Sequence, residues 1–123
     1  MSINIIKINR GDSYEFTISI PEKNNEAKNY FLTANDAVYF ALLYPQQRFE
    51  DAIMIKGYAC DDQDTDGNIK IKIIPNDTRS LAPGIYYYTI KLQRGGTLEN
   101  VSDLDEPDEV RTLIERTKFI INE

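Results

Sequence analysis

The chain has 123 residues, a net charge of −6 and an apolar fraction of 41%, which is the length of one domain with one core and the composition of a globular rather than a disordered protein. An acidic chain is repelled by phosphate backbones and anionic lipid, so nucleic acid and membrane surfaces are poor first candidates as partners. The single cysteine, Cys60, excludes an internal disulfide.

The first residues, Met1-Ser2-Ile3-Asn4-Ile5-Ile6-Lys7, have neither a long apolar region nor a small-residue cleavage site, so no signal peptide is expected. No apolar run approaches the ~18 residues of a membrane helix. Synthesis in a cytoplasm is the matching expectation.

The dominant period along the chain is two, the period of a strand. Residues 3–8 predict a first strand, followed by a tight turn at Arg10-Gly11. Tyr14, Phe16, Ile18 and Ile20 alternate with Ser13, Glu15, Thr17 and Ser19 and predict a second strand with one apolar face. Residues 37–44 predict a third strand, ended by Pro45, and residues 53–58 a fourth. Asp66-Gly67 is a hairpin signal, and Ile69, Ile71 and Ile73 alternate with Asn68, Lys70 and Lys72 in a fifth strand that Pro75 ends. Pro83-Gly84 opens a sixth strand over residues 86–92, rich in aromatic and β-branched residues. Residues 111–121 predict the last.

Two short connectors, Thr33-Ala34-Asn35-Asp36 and residues 76–81, are each long enough for one helical turn. The expected fold is all-β: one antiparallel β-sandwich of about seven strands spanning residues 1–123. Tyr14, Phe16, Ile18, Phe40, Ile69, Ile71, Tyr88, Ile90, Leu92 and Phe119 are expected in its core. Tyr86 shares the face of Tyr88 and is expected with them.

Strands that alternate in direction place their loops alternately at two ends. Segments 10–11, 45–52 and 75–83 then share one end, and segments 21–36, 60–67 and 94–109 the other. The second end collects Asp61, Asp62, Asp64, Asp66, Glu99, Asp103, Asp105, Glu106, Asp108 and Glu109, which is half of the 20 acidic residues.

The absence of histidine removes the commonest general base and the commonest metal ligand. No glycine-rich phosphate loop occurs, and the carboxylates crowd into loops rather than onto a rigid frame. A non-catalytic protein without a cofactor is expected. Asp62-Gln63-Asp64-Thr65-Asp66-Gly67-Asn68-Ile69 matches the first half of a calcium loop, with Asp62, Asp64 and Asp66 as candidate ligands. The closing glutamate of such a loop is missing, since Ile73 stands in its place. The plainer expectation is a hairpin whose aspartates accept hydrogen bonds from the turn backbone. Arg10-Gly11-Asp12 spells an adhesion tripeptide, but a hairpin glycine accounts for it. The acidic segment 97–109 is long for a hairpin loop. It reads as a solvated loop or as a docking arm for a basic neighbour, with Glu99, Asp103, Asp105, Glu106, Asp108 and Glu109 as the contact residues.

The order of these features resembles the N-terminal, immunoglobulin-like domain of phage baseplate upper proteins and related small structural proteins of tailed phages and prophages. The residues that carry the resemblance are Lys7-Ile8-Asn9-Arg10-Gly11-Asp12, Asp66-Gly67-Asn68-Ile69, Leu81-Ala82-Pro83-Gly84-Ile85-Tyr86-Tyr87-Tyr88 and Thr117-Lys118-Phe119-Ile120-Ile121. Two departures stand beside it. Segment 97–109 is longer than in that pattern, and the chain stops at Glu123 where baseplate proteins continue into further domains. The resemblance implies a virion protein of the tail or baseplate type, bound to other virion proteins in a homo-oligomeric or symmetric assembly. The alternative is a carbohydrate- or host-surface-binding module, for which exposed tyrosines would serve as platforms.

Overall fold

The structure, a computed structural model, describes residues 5–22, 27–94 and 109–123, apart from the side chains of Glu50 and Glu109. Seven strands follow in order: β1 (Ile6–Asn9), β2 (Tyr14–Ser19), β3 (Asp36–Leu43), β4 (Met54–Tyr58), β5 (Asn68–Ile73), β6 (Gly84–Arg94) and β7 (Glu109–Asn122). All seven expected strands are present, with ends within a few residues of the sequence pattern. A single helical turn, α1 (Pro75–Thr78), links β5 to β6. Segment 33–36 closes as a tight turn, with Asp36 N donating to Thr33 O at 3.1 Å, and not as a helical turn.

Five strands form one sheet in the order β1-β7-β6-β3-β4, and β2 and β5 form a second. The two sheets face each other across one core. The large sheet contributes Phe40, Tyr88, Ile90, Leu92 and Phe119, and the small one Ile69, Ile71 and Ile73. All eight residues of β3 are buried, because both of its faces are covered. The face turned away from the core packs Tyr39 and Leu43 against Phe49. This explains why segment 37–44 reads as a continuous apolar run rather than an alternation.

Two expectations are corrected. The sandwich is not antiparallel throughout: β1 runs parallel to β7, with Ile6 opposite Phe119 and Ile8 opposite Ile121. A parallel neighbour needs no short connection, and β1 is joined instead to β2 in the other sheet through the Arg10-Gly11 turn. Tyr14 is 36% exposed, and Phe16 and Ile18 are only partly buried. A two-stranded sheet leaves β2 with one open edge, where solvent reaches the core-facing side chains. The Asp66-Gly67 turn is a hairpin as expected, although β4 and β5 on either side of it lie in different sheets. Its arms meet at the Gln63 and Ile69 bridge and at the hydrogen bond from Asp64 N to Asn68 O.

The strand order places β3, β6 and β7 together with β4 beside them, and β2 with β5 opposite, as in immunoglobulin-like sandwiches. The start of β6 carries the tyrosine corner of those folds, with Tyr86 Oη donating to Ala82 O at 2.6 Å. Two residues on, where antibody domains place the second disulfide cysteine, stands Tyr88. Its ring lies 6.2 Å from Phe16, 5.6 Å from Phe40 and 6.3 Å from Phe119. An aromatic cluster thus ties the two sheets together without a disulfide.

Candidate functional site

The strand register sorts the connections into two ends, as the alternation of strands requires. Arg10 N donates to Asn122 O, and Gly11 N to Thr78 Oγ1 at 2.9 Å, which joins the β1–β2, β5–β6 and C-terminal segments at one end. At the opposite end Asp36 pairs in register with Arg94, and Arg94 with Glu109. There Arg111 donates to Pro21 O at 2.6 Å, and Asn29 to Asp66 O at 2.7 Å.

The acidic turn at that end is rigidly held. Asp64 N donates to Asn68 O, and Gly67 N to Asp64 O, which closes a three-residue loop with Gly67 at φ 87°. A Cβ on Gly67 would lie 3.0 Å from Asn29 Cβ, so glycine is required by conformation and by space. Gln63 clamps the turn to the β2–β3 connection. Its Nε2 donates to Tyr30 O and Gly67 O, both at 2.9 Å, and its Oε1 accepts from Leu32 N at 2.8 Å. Gln63 carries no motif in the sequence, where its only signal is an amide between aspartates beside a turn glycine.

The three candidate calcium ligands are placed differently from a cation cage. Asp62 Oδ2 accepts from Ala59 N at 2.8 Å. Asp64 Oδ1 accepts from Asp66 N at 2.9 Å and Asn68 N at 2.8 Å. Asp66 is exposed. Among the described residues no group of three or more metal-donor side chains gathers. Of the six candidate contact residues in the long acidic segment, Glu99, Asp103, Asp105, Glu106 and Asp108 lie outside the described residues, as does the side chain of Glu109. The backbone of Glu109 begins β7 at the acidic end.

Behind the turn, Tyr30 Oη donates to Asp36 Oδ2 at 2.5 Å, and the Arg94 guanidinium lies 5.2 Å from the Tyr30 ring centre. Burial, and then the hydrogen bond to the Asp36 carboxylate, push the Tyr30 phenol up. This cluster anchors the entry to β3.

A second surface has the opposite character. On the large sheet the side chains facing away from the core form cross-strand rows: Lys7 beside Ile120 beside Ile85, then Lys118 beside Tyr87. Lys7 and Lys118 are exposed, and Ile85 is 52% exposed. Farther along, an open depression of about 240 Å³ is lined by Lys91, Arg116, Glu115 and Phe49, among others. The Lys91 ammonium sits 5.0 Å from the Phe49 ring centre, and Arg116 donates to Gln47 O. Among the described residues Lys7, Lys91, Arg116 and Lys118 lie on this face with the carboxylate of Glu115, and Asp12 stands beside Lys7 at its edge, in a chain of net charge −6. Strand alternation turns Lys7, Lys91 and Lys118 away from the core. That they lie on one face follows only from strand order.

A further depression of about 290 Å³ lies beside the small sheet, lined by Tyr14, Ser13, Glu15 and Lys72 among others. Tyr86 and Tyr88 are core residues, whereas Tyr14 and Tyr44 present ring surface to solvent.

Comparisons with protein-family models, with curated proteins and with solved structures find no match to this chain.

Proposed function

We propose that this chain is a non-catalytic assembly domain that works through protein–protein contacts, as a virion structural protein of the phage tail or baseplate type. The observation that carries the protein-contact reading is the segregation of unlike charge onto two surfaces of one rigid frame. One surface is the acidic turn at Asp61, Asp62, Asp64 and Asp66, held by the Gln63 clamp. The other is the cationic face with Lys7 and Lys118. Complementary charge steers encounter and sets orientation between protein partners. The virion assignment rests on the sequence resemblance, and on the suitability of stiff sandwiches as units of symmetric assemblies.

The test is to isolate the native particle or complex that contains this chain. Assembly of the wild type is then compared with a variant carrying Asp103→Asn, Asp105→Asn, Glu106→Gln and Asp108→Asn, over a range of salt concentrations. Slower assembly of the variant and a flatter salt dependence are expected. Equal rates at every salt remove the acidic segment from the contact. A monomeric chain that turns over a small molecule overturns the reading altogether.

A second reading, a carbohydrate-binding module, draws on the exposed ring of Tyr14 beside Ser13 and Glu15. Glycan-array binding that Tyr14→Ala abolishes would favour it.

A further inference from the structure

The geometry points to the partner of the acidic end being a second copy of this chain, docked through the outer face of its large sheet. This rests on the protein-contact reading above and adds the identity of the neighbour. The face is built from Lys7, Ile85, Tyr87, Lys91, Lys118 and Ile120, with apolar side chains between ammonium groups. Ile85 and Tyr87 supply area to bury, and the lysines supply charge. The acidic turn is compact, fixed in shape and exposed at Asp61, Asp62, Asp64 and Asp66.

Charge decides how two copies meet. Chains of net charge −6 repel at a distance. A two-fold contact through the sheet face would set lysine against lysine, and one through the acidic ends would set aspartate against aspartate. The remaining arrangement, end onto face, puts unlike charges together. The two patches are different surfaces of the same chain, so the contact is heterologous and propagates to a ring or a filament rather than stopping at a dimer.

The experiment uses the full chain and two charge-reversed variants, followed by sedimentation at low and high salt. One variant reverses the face, with Lys7→Glu and Lys118→Glu. The other reverses the end, with Asp61→Lys and Asp66→Lys, two exposed residues outside the Gln63 clamp. The wild type should self-associate at low salt and dissociate as salt rises. Each variant alone should associate at least about tenfold more weakly, since it then presents two patches of like sign. An equimolar mixture of the two variants should associate again, because the acidic end of one meets the cationic face of the other. That rescue also shows that both variants fold.

A wild type that stays monomeric at low salt, variants that associate like the wild type, or a mixture that stays monomeric would each overturn the inference. If the purified chain is monomeric and yet enters the native particle, the second-copy partner is wrong while the protein-contact reading stands.

Discussion

The phenolic oxygen of Tyr86 lies 2.6 Å from the carbonyl oxygen of Ala82, to which it donates a hydrogen bond across the turn that opens β6. The turn contains Pro83 and Gly84, and Gly84 has a φ of 156°. The bond therefore pins the loop to the first core residue of the strand. Tyr86→Phe keeps the ring and removes only this bond, so it should lower stability by about 0.5–1.5 kcal/mol. Urea unfolding monitored by circular dichroism measures it, and an unchanged midpoint would show that the corner contributes nothing.

Phe40 is fully buried and touches the rings of Phe16, Tyr88 and Phe119, with centroids 6.4, 5.6 and 6.5 Å away. Phe16 lies on the open-edged strand and is only partly buried. Phe40→Ala should therefore cost roughly 3–5 kcal/mol and Phe16→Ala clearly less, about 2–3 kcal/mol. Denaturant titration of both variants gives the ranking, and the reverse order would contradict the two-stranded small sheet.

The clamp at the acidic end makes a separate prediction. Gln63→Ala removes three hydrogen bonds and leaves the part-buried Leu32 N–H without its acceptor, for a loss of about 2–3 kcal/mol. Gly67→Ala places a Cβ against Asn29 at a backbone angle that disfavours side chains, and should cost about 1 kcal/mol or more. Hydrogen exchange at Asn68 and Ile69 reports the local loosening. Protection equal to wild type in both variants would show that the turn is held by other contacts.

Calcium should bind only weakly at Asp62, Asp64 and Asp66, with a dissociation constant above about 10 µM, because Ile73 stands where a closing glutamate belongs. Two of the three carboxylates are also engaged with backbone N–H groups. Titration calorimetry decides the matter, and binding tighter than that limit would require a ligand set that these three residues do not form.

The buried tyrosines predict an alkaline transition. Burial pushes the Tyr88 phenol up to about 12 from its ordinary 10, with a smaller contribution from Tyr14. Burial acts in the same direction on Tyr39, Tyr58 and Tyr86. Below pH 10 the phenols are neutral in both the folded and the unfolded chain, so their contribution is fully present. As pH rises from 10 towards 12 the unfolded chain ionises first, and stability falls. For Tyr88 alone the loss is on the order of 2–3 kcal/mol. Unfolding free energy measured across that window should fall steeply, and Tyr88→Phe should flatten the fall. An unaltered slope in the variant would place the titrating group elsewhere.

The all-β class, the seven strands and most of the core follow from local sequence, because a period of two states which side chains share a face. Ile69, Ile71 and Ile73 needed nothing more, and neither did the sorting of loops to two ends, which follows from alternating strand direction. Pairing between distant strands was not legible. The parallel contact of β1 with β7 brings Ile6 opposite Phe119 across most of the chain, and no turn between them encodes it. The partial exposure of Tyr14 was likewise hidden, because alternation marks a face as apolar but does not reveal how many strands stand beside it. The same holds for the two surfaces. Composition shows a net charge of −6, whereas the gathering of Lys7, Lys91 and Lys118 on one face depends on which strands are neighbours. Strand neighbours are set by the packing of two sheets around one core, and that is a property of the whole chain.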